Sequence, residues 1–341
     1  MSNWKTTLAI ILCAVVGLIL LMGYFRKQSE IQDIQQSQLQ LQQPQLQLQL
    51  QDIRQTQQEI QKSQQEIQKI QDSCKQKEKE LLTAIEQAEN KHQEYPERRL
   101  SEDEVKKVLK DFGDEMQLIR EKKKEIPCTL KTYGRGDGGH VLCELKPYDG
   151  CVFYSIGIST DYSFDAQVRN ETGCFGLAFD PSVMRPSQLV DGVYFSNIGL
   201  APKTGEKKPG WDLMFTLPTI KKMFGHENED ILVLKVDCEG CELNFATAIA
   251  RENPNFWETV PQFSTELHFQ PHLMKGFEEH HDMALLLKQL KEANLELIDV
   301  GDNRRCGRGC TEYLREINFI CAANCNNLLF ANTKHRLLNL N

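Results

Sequence analysis

The sequence predicts an α/β domain with a mostly parallel sheet, preceded by a transmembrane segment and a glutamine-rich stem. The first observation is the branched apolar run at residues 231–234, continued by Val236, which is typical of a strand buried on both faces of a parallel sheet. The second is that similar short apolar runs recur from residue 152 onward, alternating with segments of helical character. The third is an uncharged apolar stretch at residues 7–25.

Composition limits the classes of protein that this chain can be. It has 341 residues, and the glutamine-dominated part cannot build a core, so residues from about 100 onward suit one α/β domain. A net charge of −8 gives no support for nucleic-acid binding, and we expect no nucleic-acid partner. Ten of the 12 cysteines lie between residues 128 and 325, which favours an oxidising compartment.

Residues 7–25 (TLAIILCAVVGLILLMGYF) are long enough to cross a bilayer, which takes about 20 residues. No small-residue cleavage pattern follows, so we predict a signal-anchor in preference to a cleaved signal peptide. Flanking basic residues do not decide the orientation, but the cysteines and the sequon at Asn170 favour a lumenal C-terminal part. We therefore predict a single-pass, type II protein of the secretory pathway (Golgi or ER), with residues 1–6 cytoplasmic and Asn170 glycosylated.

The stem, residues 26–100, begins with a low-complexity stretch at 28–50 that predicts disorder. A direct repeat follows, QQEIQKS at 57–63 and QQEIQKI at 64–70. Apolar residues then recur every seven positions, which is typical of a coiled-coil seam, at Ile53, Ile60, Ile67, Cys74 and Leu81. The positions that would form the other side of the seam are mostly polar, so we expect only a weak parallel homodimer. Cys74 could cross-link two chains, stay unpaired or pair elsewhere.

Residues 101–127 predict a linking helix that packs on the domain. Ser101 and Glu104 form a capping box, and an apolar stripe at helical spacing follows until Pro127 ends the helix. The glycine-rich segment 133–140 (YGRGDGGH) lacks the strand-to-helix context of a phosphate loop. We interpret it as a turn before a strand at 141–145.

The domain then alternates strands and helices. We predict strands at 152–156, 175–179, 193–196, 231–236 and 262–268, helices at 217–224, 242–251 and 282–293, and a closing hairpin of 295–300 with 316–322. In an open α/β sheet, ligands bind outside the carboxyl ends of the strands. The polar residues that follow these strands are therefore the candidate site residues.

Two of these positions suit a nucleoside ligand. Gly157 follows the strand at 152–156 and precedes a helix, an order that places backbone amides near a bound nucleotide-like group. Asp180 ends the next strand 23 residues later, where a carboxylate can accept hydrogen bonds from both ribose hydroxyls. The full glycine fingerprint of dinucleotide-binding folds is absent.

This arrangement resembles class I S-adenosylmethionine-dependent methyltransferases, most of all the branch with FkbM-type and membrane-anchored methyltransferase-like proteins. The resemblance is carried by residues 154–164 (YSIGISTDYSF), 173–182 (GCFGLAFDPS), 232–242 (LVLKVDCEGCE), 263–269 (FSTELHF) and 316–322 (EINFICA). It implies a Rossmann-like, seven-stranded sheet with an antiparallel last strand over residues 128–325, followed by a tail at 326–341. It also implies S-adenosylmethionine as cofactor, with the binding residues Ser155, Gly157, Asp161, Asp180, Ser182 and Asp237.

The chain departs from the stricter family pattern at two places. Ile158 and Ser159 stand where a second glycine is common, and Cys238 and Cys241 replace aliphatic or small residues. Both departures lie in the segments that follow the predicted strands at 152–156 and 231–236.

Methyl transfer to a hydroxyl or amine requires a base that removes the acceptor's proton. The candidates lie at adjoining strand ends and are Asp237, Glu239, Glu266 and His268. The same four side chains could together hold Mg²⁺ or Mn²⁺, but we assign no metal ligand from the sequence. Asp237 could instead only cap the following helix, and His268 could be a hydrogen-bonded structural histidine.

The remaining cysteines allow two chemistries. Cys306-x3-Cys310 and Cys321-x3-Cys325 could bind zinc, but a lumenal domain favours disulfides. A second group, Cys128, Cys143, Cys151 and Cys174, could pair among themselves. Cys238 and Cys241 have redox-motif spacing outside a thioredoxin-like setting, so we do not assign them a redox function.

Two other functions fit the same layout. Anchor, stem and globular domain are also the plan of lumenal glycosyltransferases, in which Asp237-x-Glu239 would bind a metal and a nucleotide-sugar diphosphate. The third possibility is a catalytically inactive methyltransferase fold that serves as a scaffold.

Overall fold

The computed structural model describes residues 21, 26–27, 54–62, 64–65, 99–183, 187–206, 208–211, 213–307, 309, 311–320 and 322–338. The chain divides into two units, residues 1–87 and 88–341. Most of the predicted membrane segment and stem lies outside the described residues, although 54–62 and 64–65 are helical. Within the described ranges no helix has the length and apolarity needed to cross a membrane. The membrane anchor and the coiled coil stay predictions.

The second unit alternates strands and helices, as predicted. Its helices are α1 (Glu102–Arg120), α2 (Ser163–Thr172), α3 (Leu217–Met223), α4 (Ala246–Glu252), α5 (Phe277–Glu292) and α6 (Glu312–Glu316). Its strands are β1 (Leu130–Tyr133), β2 (His140–Cys143), β3 (Val152–Ile156), β4 (Phe175–Phe179), β5 (Gln188–Val190), β6 (Val193–Ser196), β7 (Gly199–Leu200), β8 (Met214–Phe215), β9 (Ile231–Val236), β10 (Gln262–His268), β11 (Glu296–Asn303) and β12 (Cys325–Ala331).

The main sheet has eight strands in the order β11-β12-β10-β9-β3-β4-β6-β5. Strands β10, β9, β3, β4 and β6 pair in parallel, and β12 pairs antiparallel with both β10 and β11. All six residues of β9 are buried, which explains why its sequence is almost continuously apolar. The predicted mostly parallel α/β fold is confirmed. The eighth strand is β5, a short antiparallel edge strand that the prediction of seven strands missed.

The prediction of the last strand at residues 316–322 is wrong. Thr311 caps α6 by accepting a hydrogen bond from the backbone N–H of Leu314, so the chain is helical at Glu316. The antiparallel strand is β12, nine residues further along. Its apolar run LLFA follows two asparagines, which broke the pattern that predicts a strand. The predicted tail at 326–341 therefore contains an inner strand of the sheet, and Leu338 beyond it is also buried.

Helix α1 shows the predicted capping box between Ser101 and Glu104 and packs on α5 and β11. It ends at Arg120, seven residues before Pro127, because Lys122 takes a left-handed conformation (φ 55°). The predicted helix at 242–251 is also interrupted: a 3-10 turn spans Cys241–Leu243, and α4 starts only at Ala246. The glycine-rich segment forms the turn of the β1–β2 hairpin, as predicted.

The cysteines form disulfides. Four pairs lie within the described residues: Cys128–Cys143, Cys151–Cys174, Cys238–Cys241 and Cys306–Cys325. The first two confirm that the cysteines between 128 and 174 pair among themselves. Cys306 joins Cys325 across the two x3 motifs, so these two sulfurs are not available as zinc ligands. Cys310 and Cys321 lie outside the described residues.

Candidate functional site

A cleft of about 820 Å³ opens at the carboxyl ends of the parallel strands. Seven of the predicted site residues line it: Gly157, Asp161, Asp180, Ser182, Asp237, Glu239 and Glu266. The other two, Ser155 and His268, are fully buried on β3 and β10. The strand order explains the convergence, because β4, β3, β9 and β10 are neighbours in the sheet and all end at this edge.

Gly157 sits where three strand ends meet. Its backbone N–H donates to Phe179 O at 2.8 Å, and its φ is +77°. A Cβ atom built there would lie 1.6 Å from Asp237 O, so no other residue fits without moving the chain after β9. Ile156 O accepts a hydrogen bond from Asp237 N at 3.0 Å, which fixes the two loops against each other. This close approach of backbone to backbone shapes the floor of the cleft.

Asp180 joins the loop after β3 to the loop after β4. Its Oδ2 accepts from Ser159 N at 2.7 Å, and its Oδ1 accepts from Ser182 N at 2.8 Å and Ser182 Oγ at 2.6 Å. The residue is only 6% exposed. A carboxylate has about four acceptor positions, so capacity remains for a hydroxyl of a ligand in the cleft. Asp161 lies in the loop between β3 and α2 and accepts from Ser163 N at 2.8 Å at the start of α2.

Asp237, the first residue after β9, lies between two basic groups. His140 Nε2 is 3.5 Å and Lys235 Nζ is 3.7 Å from its Oδ2. Burial alone would raise the pKa of Asp237, but the neighbouring His140 imidazole and Lys235 ammonium hold it below the ordinary value. Lys235 Nζ also donates to Gly157 O at 3.1 Å. Asp237 is therefore ionised at neutral pH and fixed in place by β2 and β9.

His268 ends β10 against a buried partner. Its Nδ1 donates to Glu242 Oε1, and neither side chain is exposed. Its Nε2 lies 3.4 Å from Glu239 Oε2 and 3.5 Å from Glu266 Oε2. Burial opposes the charged imidazole, but the bond to Glu242 and the nearby carboxylates outweigh it and raise the pKa of His268 to about 9. The isolated protein therefore carries an imidazolium here at neutral pH, which is a proton donor and not a base.

The loop after β9 is tightly constrained. The Cys238–Cys241 disulfide closes it, Glu239 has a φ of 55° and Gly240 a φ of 108°. Gly240 N donates to both carboxylate oxygens of Glu242 at 3.1 Å. A left-handed conformation is rare for glutamate and costs about 1–3 kcal/mol unless the surroundings enforce it. The disulfide and Glu242 thus hold the side chain of Glu239, which is 82% exposed, at the mouth of the cleft.

The sequence analysis missed several residues of the site, of which Asp165 is the most unusual. It lies in α2, is 1% exposed and lines the cleft, yet neither carboxylate oxygen has a hydrogen-bond partner among the described residues. Burial raises the pKa of Asp165 to about 6, although the charge of Lys235 opposes the shift. An acid in the first turn of a helix is common for dipole reasons, so its sequence gave no signal. Lys235 could have been recognised from the sequence as a candidate site residue, because it is a charged residue inside a strand that was predicted to be buried.

Comparison with known proteins identifies a family for this chain. A family model described as a methyltransferase domain matches residues 69–295. The matched range contains β3, β4, β9 and β10 with every site residue named above, and it stops before β11. No curated protein and no solved structure matches the chain. Because the match covers more than half of the 341 residues, the chain belongs to this family of methyltransferase domains.

Proposed function

We propose that this chain is a membrane-anchored, S-adenosylmethionine-dependent methyltransferase of the FkbM-like branch that methylates a hydroxyl or an amine. One observation carries the proposal beyond family membership. Two buried carboxylates, Asp180 and Asp165, line the same cleft as the Gly157 turn, at the ends of parallel strands. That arrangement offers separate acceptors for the ribose hydroxyls and for the α-ammonium of this methyl donor.

The residues of the cleft fit the donor in chemical type. The remaining acceptor capacity of Asp180 suits the ribose diol, and the unpartnered carboxylate of Asp165 suits the ammonium of the methionine part. The missing side chain at Gly157 lets a ligand approach the backbone closely. A cleft of about 820 Å³ lies within the usual range of roughly 300–1,000 Å³ for cofactor sites. When bound, S-adenosylmethionine supplies a methyl group on a positively charged sulfur.

The acceptor side is assigned to the ends of β9 and β10. Asp237 is ionised and held by His140 and Lys235, so its carboxylate can orient the hydroxyl or amine and accept its hydrogen bond. Glu239 is mostly exposed at the cleft mouth and can pass the released proton to solvent. Glu266 completes the wall and accepts from Asn303 Nδ2 at 2.8 Å. Positioning of the two reactants supplies most of the rate enhancement in such a displacement.

Two observations support the proposed location in the secretory pathway. Four disulfides in one domain favour an oxidising compartment. Asn170, the sequon residue, lies on α2 and is exposed, so a glycan could be attached without unfolding the helix. The uncharged run at 7–25 would supply the anchor and the heptad line of the stem a weak homodimer.

Calorimetric titration of the full chain, purified in detergent, tests the proposed activity. S-adenosylmethionine and S-adenosylhomocysteine should bind with one site per chain, and nucleotide sugars should not. Binding of a nucleotide sugar alone would favour the glycosyltransferase. Absence of binding by every one of these ligands would favour the inactive scaffold. Protease protection of the domain in sealed microsomes tests the orientation, since digestion without detergent would refute a lumenal domain.

A further inference from the structure

The imidazole of His268 has one nitrogen bound and the other presented to carboxylates. Glu242 accepts a hydrogen bond from the Nδ1–H group, so Nε2 is the nitrogen that carries the lone pair once the imidazolium loses a proton. Nε2 is buried and makes no hydrogen bond within the described part of the chain, although two carboxylates lie 3.4 and 3.5 Å away. Histidines that bind metals almost always donate their other ring N–H to a carboxylate or carbonyl, as His268 does to Glu242.

The groups that face Nε2 complete a set of metal ligands. One ligand atom each from Asp237, Glu266 and His268 lies within 4.8 Å of the other two. Donor atoms bound at about 2.0–2.2 Å to one ion lie no more than about 4.4 Å apart, so small side-chain rotations would close the set. Asn303 Nδ2 donates a hydrogen bond to Glu266 Oε1. The other carboxylate oxygen, Glu266 Oε2, is the one that lies near His268 Nε2. The elements that carry these ligands, β9 and β10, are neighbours in the sheet.

Neighbouring groups show where an ion could and could not sit. Cys238, Cys241, Cys306 and Cys325 lie close by, but each is in a disulfide and cannot bind as a thiolate. Lys235 Nζ and His140 Nε2 both lie near Asp237 Oδ2, and the ammonium of Lys235 would repel a cation on that side, so the ion would sit on the side of β10. The alternative is an ion-pair network in which a proton on Nε2 takes the place of the metal.

We propose that Asp237, Glu266 and His268 form a binding site for one divalent cation of the Mn²⁺ type. Two carboxylates and one imidazole make a mixed oxygen and nitrogen set, and carboxylates select Mn²⁺ or Mg²⁺ while imidazole adds affinity for transition metals. Binding replaces the Nε2 proton, which is released to solvent. Glu239, at the cleft mouth, can add a further oxygen ligand.

The role of the ion rests on the proposed methyl transfer. The ion would bind the oxygen of a hydroxyl acceptor and lower its pKa, as a Lewis acid does. The acceptor proton then leaves to solvent, the oxygen forms the bond to the methyl carbon, and the donor sulfur keeps the electron pair of the broken C–S bond. The site thus selects acceptors with an oxygen that can reach a metal.

Titration with Mn²⁺, followed by loss of the signal of free Mn²⁺ in electron paramagnetic resonance, tests the site. The full chain in detergent, freed of metal with EDTA and desalted, should bind one Mn²⁺. Glu266→Gln keeps an oxygen for Asn303 and removes the charge, so it should weaken binding by about 10-fold or more. The matched control is Asp230→Asn, which removes a carboxylate beside a histidine (His335, 3.7 Å) at the opposite end of β9. Its affinity should equal that of the parent.

A parent chain that binds no Mn²⁺ saturably overturns the proposal, and so does unchanged affinity in Glu266→Gln. Thermal melts check that the variants fold, and Asp237→Asn replaces Glu266→Gln if the latter does not. S-adenosylhomocysteine is titrated into the same EDTA-treated preparation. If it binds while Mn²⁺ does not, the cation site is overturned and the methyltransferase stands. If Mn²⁺ binds and S-adenosylhomocysteine does not, the cation site stands and its role in methyl transfer is overturned.

Discussion

The carbonyl oxygen of Asp237 occupies the position in which a side chain at Gly157 would begin, 1.6 Å from an ideal Cβ. The end of β3 and the end of β9 can therefore meet only because residue 157 has no side chain. The same contact brings Asp237 next to the loop that would hold the methyl donor.

Gly157→Ala should destabilise the domain by several kcal/mol and abolish donor binding. An alanine there meets the backbone of Asp237, which has no flexible side chain to move aside, and it must also adopt a φ of +77°. Gly150→Ala is the control, because Gly150 has a φ of +68° with nothing within 4 Å of its Cβ position. The control isolates the left-handed conformation, which costs about 1–2 kcal/mol. Urea unfolding should separate the two variants, and equal losses would contradict the clash.

Asp180→Ala should weaken the binding of S-adenosylmethionine by about 10- to 150-fold, since hydrogen bonds to a charged acceptor contribute about 1.5–3 kcal/mol. Calorimetric titration measures the affinity. Ser182→Ala is the comparison: it removes the 2.6 Å bond from Oγ to Asp180 but keeps the carboxylate and the backbone N–H donor. Its effect should be smaller. Unchanged affinity in Asp180→Ala would remove this residue from the donor site.

Asp165→Asn should stabilise the protein at neutral pH and weaken donor binding. The pKa of Asp165 in the folded state is about 6, above 3.8 for the ordinary carboxyl, so the folded state resists ionisation. Below pH 3.8 the carboxyl is protonated in both states. Between pH 3.8 and about 6 the unfolded state ionises while the folded state stays protonated, so over this range the folded state loses up to about 3 kcal/mol relative to the unfolded state. Asparagine removes this loss.

Urea unfolding without ligand, at pH 4 and pH 7.5, checks the sign for Asp165. The difference in unfolding free energy between Asp165→Asn and the parent should grow toward pH 7.5. Asp161→Asn is the control, because Asp161 lies in the same cleft but is exposed and already accepts from Ser163 N. Its difference from the parent should grow much less with pH, because the charge of Asp161 adds only slightly to the raised pKa of Asp165. A larger gain at pH 4 than at pH 7.5 would contradict the shifted pKa of Asp165.

Asp237→Asn should lower turnover strongly and leave the affinity for S-adenosylmethionine largely unchanged, because it keeps the shape of the side chain and removes its charge. A capping role for Asp237 would instead reduce stability by about 1 kcal/mol with turnover kept. The structure favours the catalytic role, since Asp237 Oδ2 lies near His140 and Lys235. Thermal melts and single-turnover methylation separate the two roles.

The sequence predicted those parts of the site that follow from strand ends. Asp180, Asp237 and Glu266 could be found because each ends or follows an apolar run, and parallel strands end at one edge of the sheet. Asp165 and His140 could not be found in this way. Asp165 looks like an ordinary acid near a helix start, and His140 lies on β2, a strand outside the main sheet. Only tertiary packing brings their side chains to the cleft.

For the last strand of the sheet, the sequence pattern predicted the wrong segment. Residues 316–322 are apolar enough to suggest a strand, but the Thr311 cap starts α6 before them. Asn326 and Asn327 lower the strand propensity of β12, and yet that strand pairs with both β10 and β11 along its length. Pairing on two sides outweighs local propensity, which is weak for strands.

The Cys238–Cys241 disulfide should matter more for activity than for stability. It closes a loop of only a few residues, so replacing both cysteines with serine should lower the free energy of unfolding by about 2 kcal/mol. Cys151 and Cys174 are 23 residues apart, and replacing that pair should lower it by about 3 kcal/mol. Without the cross-link, Glu239 can leave its left-handed conformation (φ 55°) and move from the cleft mouth. We therefore expect the Cys238/Cys241 double variant to lose methylation and the Cys151/Cys174 double variant to keep it at temperatures where both are folded. Urea unfolding and methylation assays on the two variants measure both quantities. The opposite order of activity losses would show that the loop does not depend on its disulfide.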